Sequence, residues 1–187
     1  MDIVPTPVKS DPTAIPTEYA GYQFRSRLEA RWATFFDHAH IEWHYEIEGY
    51  QLAAGRYLPD FWLPTINGGA WFEVKGTKPT ERESALAMQL ARHTGRPVYI
   101  AWGQMPANLD PLTGANPTFD IEEFDREGWD DTRRFCVCPT CRKPGLQFCG
   151  RGERICNHQT TVAGGDTWEH YAAANHLART APFWNPK

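Results

Sequence analysis

The chain has 187 residues, of which 41% are hydrophobic and 13% aromatic, and a formal net charge of −4. This composition supports one packed domain, excludes wholesale disorder, and argues against a general basic coat for nucleic acid. No apolar run reaches the roughly 18 residues that span a bilayer, and the N-terminus lacks a basic-then-apolar signal. We therefore expect a protein of the cytoplasm with no membrane partner.

The N-terminal part predicts an arm, a helix and a strand. Residues 1–17 contain four prolines and predict a flexible arm. Helical order is expected from about Glu18, because large apolar residues recur at helical spacing on one stripe: Phe24, Leu28, Trp32, Phe35 and Phe36. Glu29 lies beside this stripe, and periodicity alone favours an exposed acid paired with arginine. Residues 41–47 alternate apolar and polar side chains, which predicts a half-exposed strand.

Two strands around a tight turn follow. Tyr57–Leu63 and Ala70–Lys75 are rich in aromatic and aliphatic residues, and an Asn and two glycines separate them. Because side chains alternate between faces along a strand, Glu73 and Lys75 point to the same side. Pairing across the turn would bring Asp60 beside Glu73, and a divalent cation would offset two carboxylates in one small volume. The alternative is a solvated Glu73–Lys75 pair, which would contribute under about 1 kcal/mol.

A second helix and a fourth strand complete the predicted core. Residues 79–94 predict a helix that ends at Gly95, and residues 97–102 predict a strand covered on both faces. Residues 18–104 therefore follow the order helix, strand, strand, strand, helix, strand. Residues 110–131 hold eight acidic residues against one arginine, so we expect residues 105–131 to be an irregular acidic connector with one short helix around Ile121–Glu127.

All five cysteines lie between residues 136 and 156, which is the clustering of a metal site and unlike a disulfide framework. Cys138 and Cys141 form a two-residue knuckle, and Cys156 and His158 supply the second ligand pair of a tetrahedral Zn²⁺ site. Either of two further cysteines is an alternative to the histidine: Cys136 or Cys149. An iron–sulfur cluster and a set of free buried thiols are the other interpretations.

Positive charge gathers in the same segment. Residues 132–158 carry six basic residues and one Glu, a net of +5, which leaves −9 for the rest of the chain. The basic residues predict a phosphate clamp for nucleic acid: Arg133, Arg134, Arg142, Lys143, Arg151 and Arg154. We predict that residues 132–187 form a zinc ribbon-like lobe, closed by a helix that begins with a capping box at Asp166 and ends near Arg179.

One motif resembles a known family. Pro-Asp at 59–60, twelve further residues, and Glu-Val-Lys-Gly at 73–76 resemble the signature of the PD-(D/E)XK nuclease superfamily. The resemblance covers roughly residues 20–103 and extends to small nucleases of phages and actinobacteria. It implies an α/β core of the restriction-endonuclease type, to which the zinc ribbon-like lobe would be appended.

The resemblance also implies roles for five residues. Asp60 and Glu73 would bind Mg²⁺ or Mn²⁺, with the Val74 carbonyl as an additional ligand. Lys75 would orient the attacking water. Glu29 matches the acid that many members of the superfamily carry on the preceding helix, where it supports the metal.

The activity implied is that of a Mg²⁺-dependent deoxyribonuclease, with a structural Zn²⁺ and with DNA as the partner, in a bacterial or phage-infected cell. The alternative is a catalytically silent nuclease-fold factor that binds DNA or protein in a defence, packaging or transposition complex. The intact Asp-Glu-Lys set favours the enzyme, because a binding protein has no physical need for all three residues.

Overall fold

A computed structural model describes residues 14–106, 120–125, 128–130, 133–148, 155–158 and 168–183. Its elements, in chain order, are β1 (Thr17–Tyr19), β2 (Tyr22–Phe24), α1 (Arg27–His38), β3 (His44–Tyr45), β4 (Tyr50–Leu52), β5 (Gly55–Tyr57), β6 (Phe61–Leu63), β7 (Ala70–Lys75), α2 (Glu81–Thr94), β8 (Val98–Trp102), β9 (Asp120–Phe124), β10 (Trp129–Asp130), β11 (Arg133–Val137), β12 (Pro144–Phe148) and α3 (Trp168–Thr180). Several predicted features lie outside the described residues: Cys149, Arg151, Arg154 and the capping box at Asp166.

A mixed six-stranded sheet is the centre of the fold, with strand order β10-β9-β8-β7-β6-β3. β7 and β8 are parallel and are joined through α2, whereas the other neighbouring strands are antiparallel. The α/β class is confirmed, and α1, β3, β6, β7, α2 and β8 follow one another as predicted, with the unpredicted β4–β5 hairpin inserted before β6. No helix in the described part of the chain is long and apolar enough to cross a membrane.

The sheet carries an apolar layer on each face. On one face α2 packs Leu86 and Leu90 against Val98 and Ile100 of β8. The other face is covered by α1, and its layer of large rings includes Phe72. Because β7 and β8 contribute to both layers, their near-continuous apolar sequence is that of strands buried on two sides.

The C-terminal segments complete the second layer instead of packing apart from it. The ring of Phe135 on β11 lies 5.1 Å from that of Phe35, and the ring of Tyr171 on α3 lies 6.0 Å from it. Leu146 on β12 belongs to the same buried cluster. The predicted zinc ribbon-like lobe is therefore continuous with the main core through its apolar side chains.

The first helix begins later than predicted, so helical order from Glu18 is wrong. β1 and β2 form a hairpin whose turn residues Ala20 and Gly21 have φ of 49° and 80°. Two left-handed residues between Tyr-containing segments favour a hairpin over a helix. Ser26 then caps α1, where its side chain accepts a hydrogen bond from the N–H of Glu29 at 3.2 Å.

The second helix is confirmed and ends where predicted, but it begins at Glu81, two residues after the predicted start at residue 79. Thr80 precedes its first turn and forms a reciprocal capping box with Glu83. Gly95 ends it with a left-handed φ of 69°, and its N–H donates to the carbonyl of Ala91.

The acidic connector contains a strand, so the short helix predicted around Ile121–Glu127 is wrong. β9 pairs antiparallel with β8, and Ile121 and Phe124 enter the two opposite apolar layers. The buried carboxylate of Glu122 is not an isolated acid, because Lys78 approaches it with Nζ 3.7 Å from Oε1. Pairing with an apolar central strand outweighs the loop-like composition of the segment.

One asparagine joins the turn between β6 and β7 to β12. The amide of Asn67 donates to the carbonyl of Leu146 at 2.7 Å and to the hydroxyl of Tyr99 at 2.8 Å. The N–H of Leu146 returns a hydrogen bond to the Asn67 side-chain oxygen at 3.2 Å. Asn67 has a left-handed φ of 48°, which asparagine tolerates better than most residues.

Candidate active site and candidate metal centre

The β6–β7 pairing places two carboxyl groups together, as the sequence predicts. The register of these strands, continued by one residue, sets Asp60 opposite Glu73. The N–H of Asp60 donates to Oε2 of Glu73 at 3.2 Å, and the N–H of Val74 donates to Oδ2 of Asp60 at 2.7 Å. The two acidic residues are only 2% and 3% exposed. For Val74, predicted to offer its carbonyl, the described contact is made by its N–H.

Burial dominates the electrostatics of this pair. It raises the pKa of Asp60 well above its ordinary value, and the charges of Glu73 and Glu29 raise it further against the opposing effect of nearby cations. Burial also raises the pKa of Glu73, although Lys75 lowers it in part. Buried carboxylates in this state are stabilised by a cation, and their hard oxygen atoms are ligands that Mg²⁺ and Mn²⁺ accept.

Lys75 lies on the same side of β7 as Glu73, as predicted. Its Nζ is 2.7 Å from Oε1 of Glu73 and 3.3 Å from Oε1 of Glu83 in the first turn of α2. Burial lowers the pKa of Lys75, but the attraction of Glu73 and Asp60 outweighs burial and raises it, so the ammonium stays charged. The alternative of a solvated surface pair is wrong, since the Glu73 side chain is only 4% exposed.

Glu29 is buried and not the exposed helix acid that periodicity alone favours. Its carboxylate accepts hydrogen bonds from the hydroxyl of Tyr45 at 2.6 Å and the hydroxyl of Ser26 at 2.7 Å. The N–H of Arg25 donates to it at 3.2 Å. Glu29, Asp60 and Glu73 form what we call the acidic cluster.

Arg25 is one residue of this site that the sequence analysis missed, together with its neighbours Tyr45, Glu46, Tyr57 and Glu83. Its Nη2 lies 2.5 Å from Oδ1 of Asp60, and its Nε lies 2.6 Å from Oε1 of Glu46. The Nε atom is also 4.0 Å from Oε2 of Glu29. Arg25 precedes α1, so helical periodicity could not assign it, and the one available signal was its four-residue spacing from Glu29.

The buried hydroxyl of Tyr57 lies beside the acidic cluster. Burial raises the pKa of Tyr57, and the charges of Glu73 and Asp60 raise it further. The hydroxyl therefore stays protonated beside the carboxylate of Glu73.

Cys138, Cys141, Cys156 and His158 form a second group, which we call the cysteine cluster. One ligand atom from each lies within 4.8 Å of the others. His158 Nδ1 is 3.7 Å from the sulfur of Cys138 and 3.4 Å from that of Cys156. The structure therefore brings together the four predicted ligands, and the cluster could hold a metal ion such as Zn²⁺.

Backbone N–H groups of the Cys138–Cys141 knuckle stabilise the thiolate form of Cys138. N–H groups of Cys141 and Thr140 lower the pKa of Cys138 to about 6, which favours the thiolate that binds metals. Arg142 adopts a left-handed φ of 59° and its N–H donates to the carbonyl of Cys138 at 2.8 Å. Cys136 stays apart, since its sulfur lies 3.5 Å from the carbonyl oxygen of Gly145.

The predicted phosphate clamp divides into buried and exposed residues. Arg133 is buried, and its Nε lies 2.6 Å from Oε2 of Glu123. Arg134 and Lys143 are partly buried, whereas Arg142 is exposed. The ion pair of Arg133 argues against a direct phosphate contact there, so Arg134, Arg142 and Lys143 remain the candidates among the described residues.

Comparison of the chain with protein-family models, with curated proteins and with solved structures finds no match. The nuclease resemblance therefore rests on the motif itself and on the chemistry of the residues gathered around Asp60 and Glu73.

Proposed function

We propose that the chain is a metal-dependent deoxyribonuclease that hydrolyses phosphodiester bonds at the acidic cluster. The observation that carries this proposal is the burial of Asp60 and Glu73 side by side, with the ammonium of Lys75 2.7 Å from Glu73. Two buried carboxyl groups with raised pKa are costly in a purely structural role. A site that binds a divalent cation explains why both are present.

In this proposal Asp60 and Glu73 hold Mg²⁺ or Mn²⁺, and Glu29 supports the metal through the network around it. When bound, the ion would polarise a phosphate oxygen and lower the pKa of a water molecule. Lys75 orients that water and offsets developing negative charge, and Glu83 fixes the lysine from α2. The buried hydroxyl of Tyr57 lies next to Glu73 and helps to orient its carboxylate.

Arg25 has a dual role in the proposal. Its guanidinium pairs with both Asp60 and Glu46, and its side chain is 54% exposed. Because this side chain is exposed, it could move away from Asp60 if a metal ion were bound there. The freed guanidinium has the fork geometry that binds phosphate oxygens, which would place it on the DNA backbone.

The test is cleavage of supercoiled plasmid and of single-stranded DNA in the presence of Mg²⁺, Mn²⁺ or EDTA. We expect cleavage with either metal and none with EDTA. Asp60→Asn, purified in the same way, controls for a contaminating nuclease and should be inactive. Equal cleavage by wild type and Asp60→Asn, or no cleavage of either DNA with either metal, would refute the proposal.

The second candidate is a catalytically silent factor that binds DNA or protein, and one observation favours it. All four carboxylate oxygens of Asp60 and Glu73 have protein partners: Arg25, the N–H of Val74, Lys75 and the N–H of Asp60. A fully satisfied network is also what a structural cluster needs. Titration calorimetry with Mn²⁺ separates the candidates, because a silent factor would bind no metal at this cluster and would bind DNA without cleaving it.

A further inference from the structure

A cavity of about 460 Å³ lies beside α1, away from the acidic cluster. Its lining combines two guanidinium groups with an amide and two apolar residues: Arg31, Arg179, Gln104, Met105 and Pro106. Arg31 is two residues beyond Glu29 on the helix, a rotation of about 200°, so the two side chains leave α1 on opposite sides. The volume falls in the range of about 300–1,000 Å³ that is usual for small-ligand sites.

Positive charge accumulates around this cavity. Two arginines at or beside it have no counter-ion within the described residues. Arg27 precedes Arg31 by four residues on α1 and so lies on the same side of the helix. Within the described residues, the Nε atoms of Arg27 and Arg31 are buried and make no hydrogen bond, and neither side chain pairs with a carboxylate. Burial lowers the pKa of Arg31, and the nearby charges of Arg27 and Arg179 lower it further.

Buried donors without acceptors and like charges in proximity both cost free energy. An anion in the cavity would remove both costs at once. Phosphate suits it best, because guanidinium forks match phosphate oxygens in pairs and a charge approaching −2 balances several arginines. The amide of Gln104 can donate a further hydrogen bond.

We propose that the cavity lined by Arg31 and Arg179, with Arg27 at its side, binds a phosphate group. The phosphate belongs either to a free ligand or to a nucleic-acid backbone. The inference goes beyond the proposed nuclease activity and does not depend on it, since none of these arginines belongs to the acidic cluster.

The first experiment measures binding of inorganic phosphate by calorimetry, together with the Tm in phosphate and in chloride at equal ionic strength. We expect phosphate to bind the wild type and to raise its Tm beyond the effect of chloride. Arg31→Gln should weaken phosphate binding roughly tenfold or more, as expected for losing a charged hydrogen-bond donor. In phosphate-free buffer the same variant should melt at or above the wild-type Tm, because like-charge repulsion is reduced.

Arg179→Gln is the second variant and should weaken phosphate binding in the same way. Arg92→Gln, an exposed arginine in the last turn of α2, is the matched control and should bind phosphate as the wild type does. Wild-type phosphate affinity in both Arg31→Gln and Arg179→Gln would overturn the proposal, and so would a wild type that binds neither phosphate nor an oligonucleotide.

A second arm identifies the source of the phosphate. Binding of a short single-stranded oligonucleotide is measured in EDTA as a function of salt concentration, for the wild type and Arg31→Gln. A salt-dependence slope smaller by about 1 in the variant indicates a backbone phosphate in the cavity. An unchanged slope, combined with lost binding of inorganic phosphate, indicates a free phosphate-bearing ligand.

Discussion

The acidic cluster and the cysteine cluster are built in opposite ways. Glu73 lies on β7 of the central sheet, and Asp60 directly precedes β6, so both are held next to fully buried residues of the paired strands, Phe72 and Phe61. Among the described residues, the cysteine cluster has little apolar support, since the buried group around it consists of Cys136, Cys138 and Ile155, with Cys156 packed against it. In the first case the fold holds the site at a cost to its own stability. In the second, a bound metal would hold the surrounding segment in place.

The largest effect expected from this comparison is on activity at the acidic cluster. Asp60→Asn and Glu73→Gln should each reduce metal-dependent cleavage to the limit of detection, because each removes a proposed metal ligand while keeping the shape of the side chain. Their Tm in EDTA should equal or exceed that of the wild type, since repulsion between buried carboxyl groups is relieved. Full activity in either variant would contradict the assignment of the ligands.

The pH dependence of stability tests whether burying the Asp60 carboxylate costs free energy of folding. The pKa of Asp60 is raised in the folded state above its ordinary value of 3.8, so the folded protein holds this proton to a higher pH than the unfolded chain does. The stability that this bound proton contributes is fully present below about pH 3.8. It is lost as pH rises through the raised pKa of Asp60. Asp60→Asn should lack this loss, so its Tm advantage over the wild type should grow from acidic to neutral pH. A constant difference in Tm across that window would contradict the raised pKa.

Lys75→Ala should lower the turnover rate by roughly a hundredfold, the scale of losing one positioned electrostatic group. Binding of Mn²⁺ should change little, because the ammonium is not a ligand. Lys78→Ala is the matched control, since Lys78 pairs with Glu122 and has no described contact with Glu73. Calorimetry that shows lost Mn²⁺ binding in Lys75→Ala would contradict this division of roles.

Cys138→Ser should lower the stability of the protein, unlike Asp60→Asn and Glu73→Gln. We expect wild type to contain one Zn²⁺ per chain, and the variant to lose it, with a Tm lower by about 10 °C or more. The rate of amide hydrogen exchange should increase more in β11 and β12 than in β7 and β8. Cys136→Ala is the control and should keep its zinc, because Cys136 lies outside the cysteine cluster. Iron in place of zinc, or zinc retained by Cys138→Ser, would contradict the assigned site.

The smallest effect concerns Asn67, which connects the β6–β7 turn to β12. Asn67→Ala should cost about 2 kcal/mol through lost hydrogen bonds and roughly 1 kcal/mol more through its left-handed φ. Asn67→Gly loses the same hydrogen bonds but accepts the backbone conformation, so it should melt a few degrees above Asn67→Ala. Equal Tm values for Asn67→Gly and the wild type would mean that the link does not contribute to stability.

The sequence predicts local features well where several signals coincide. The register that brings Asp60 to Glu73 follows from a turn between two apolar strands, and α2 follows from its caps. The strand β9 could not be predicted in this way, because its acidic composition is unfavourable until β8 lies beside it. Arg25 was missed for a related reason: its partners Asp60 and Glu46 are distant in sequence, and no periodicity reports such contacts.

The sharing of one ring layer by α1, β11 and α3 has a consequence for synthesis of the chain. Phe35 is translated long before Phe135 and Tyr171, whose rings cover it in the finished protein. At about 5–20 residues per second, the ribosome needs several seconds to pass from the end of β8 to Tyr171. During that interval the nascent N-terminal half presents an uncovered aromatic surface, which a chaperone can recognise. Expression of residues 18–104 alone would make this surface permanent, and we expect that fragment to aggregate.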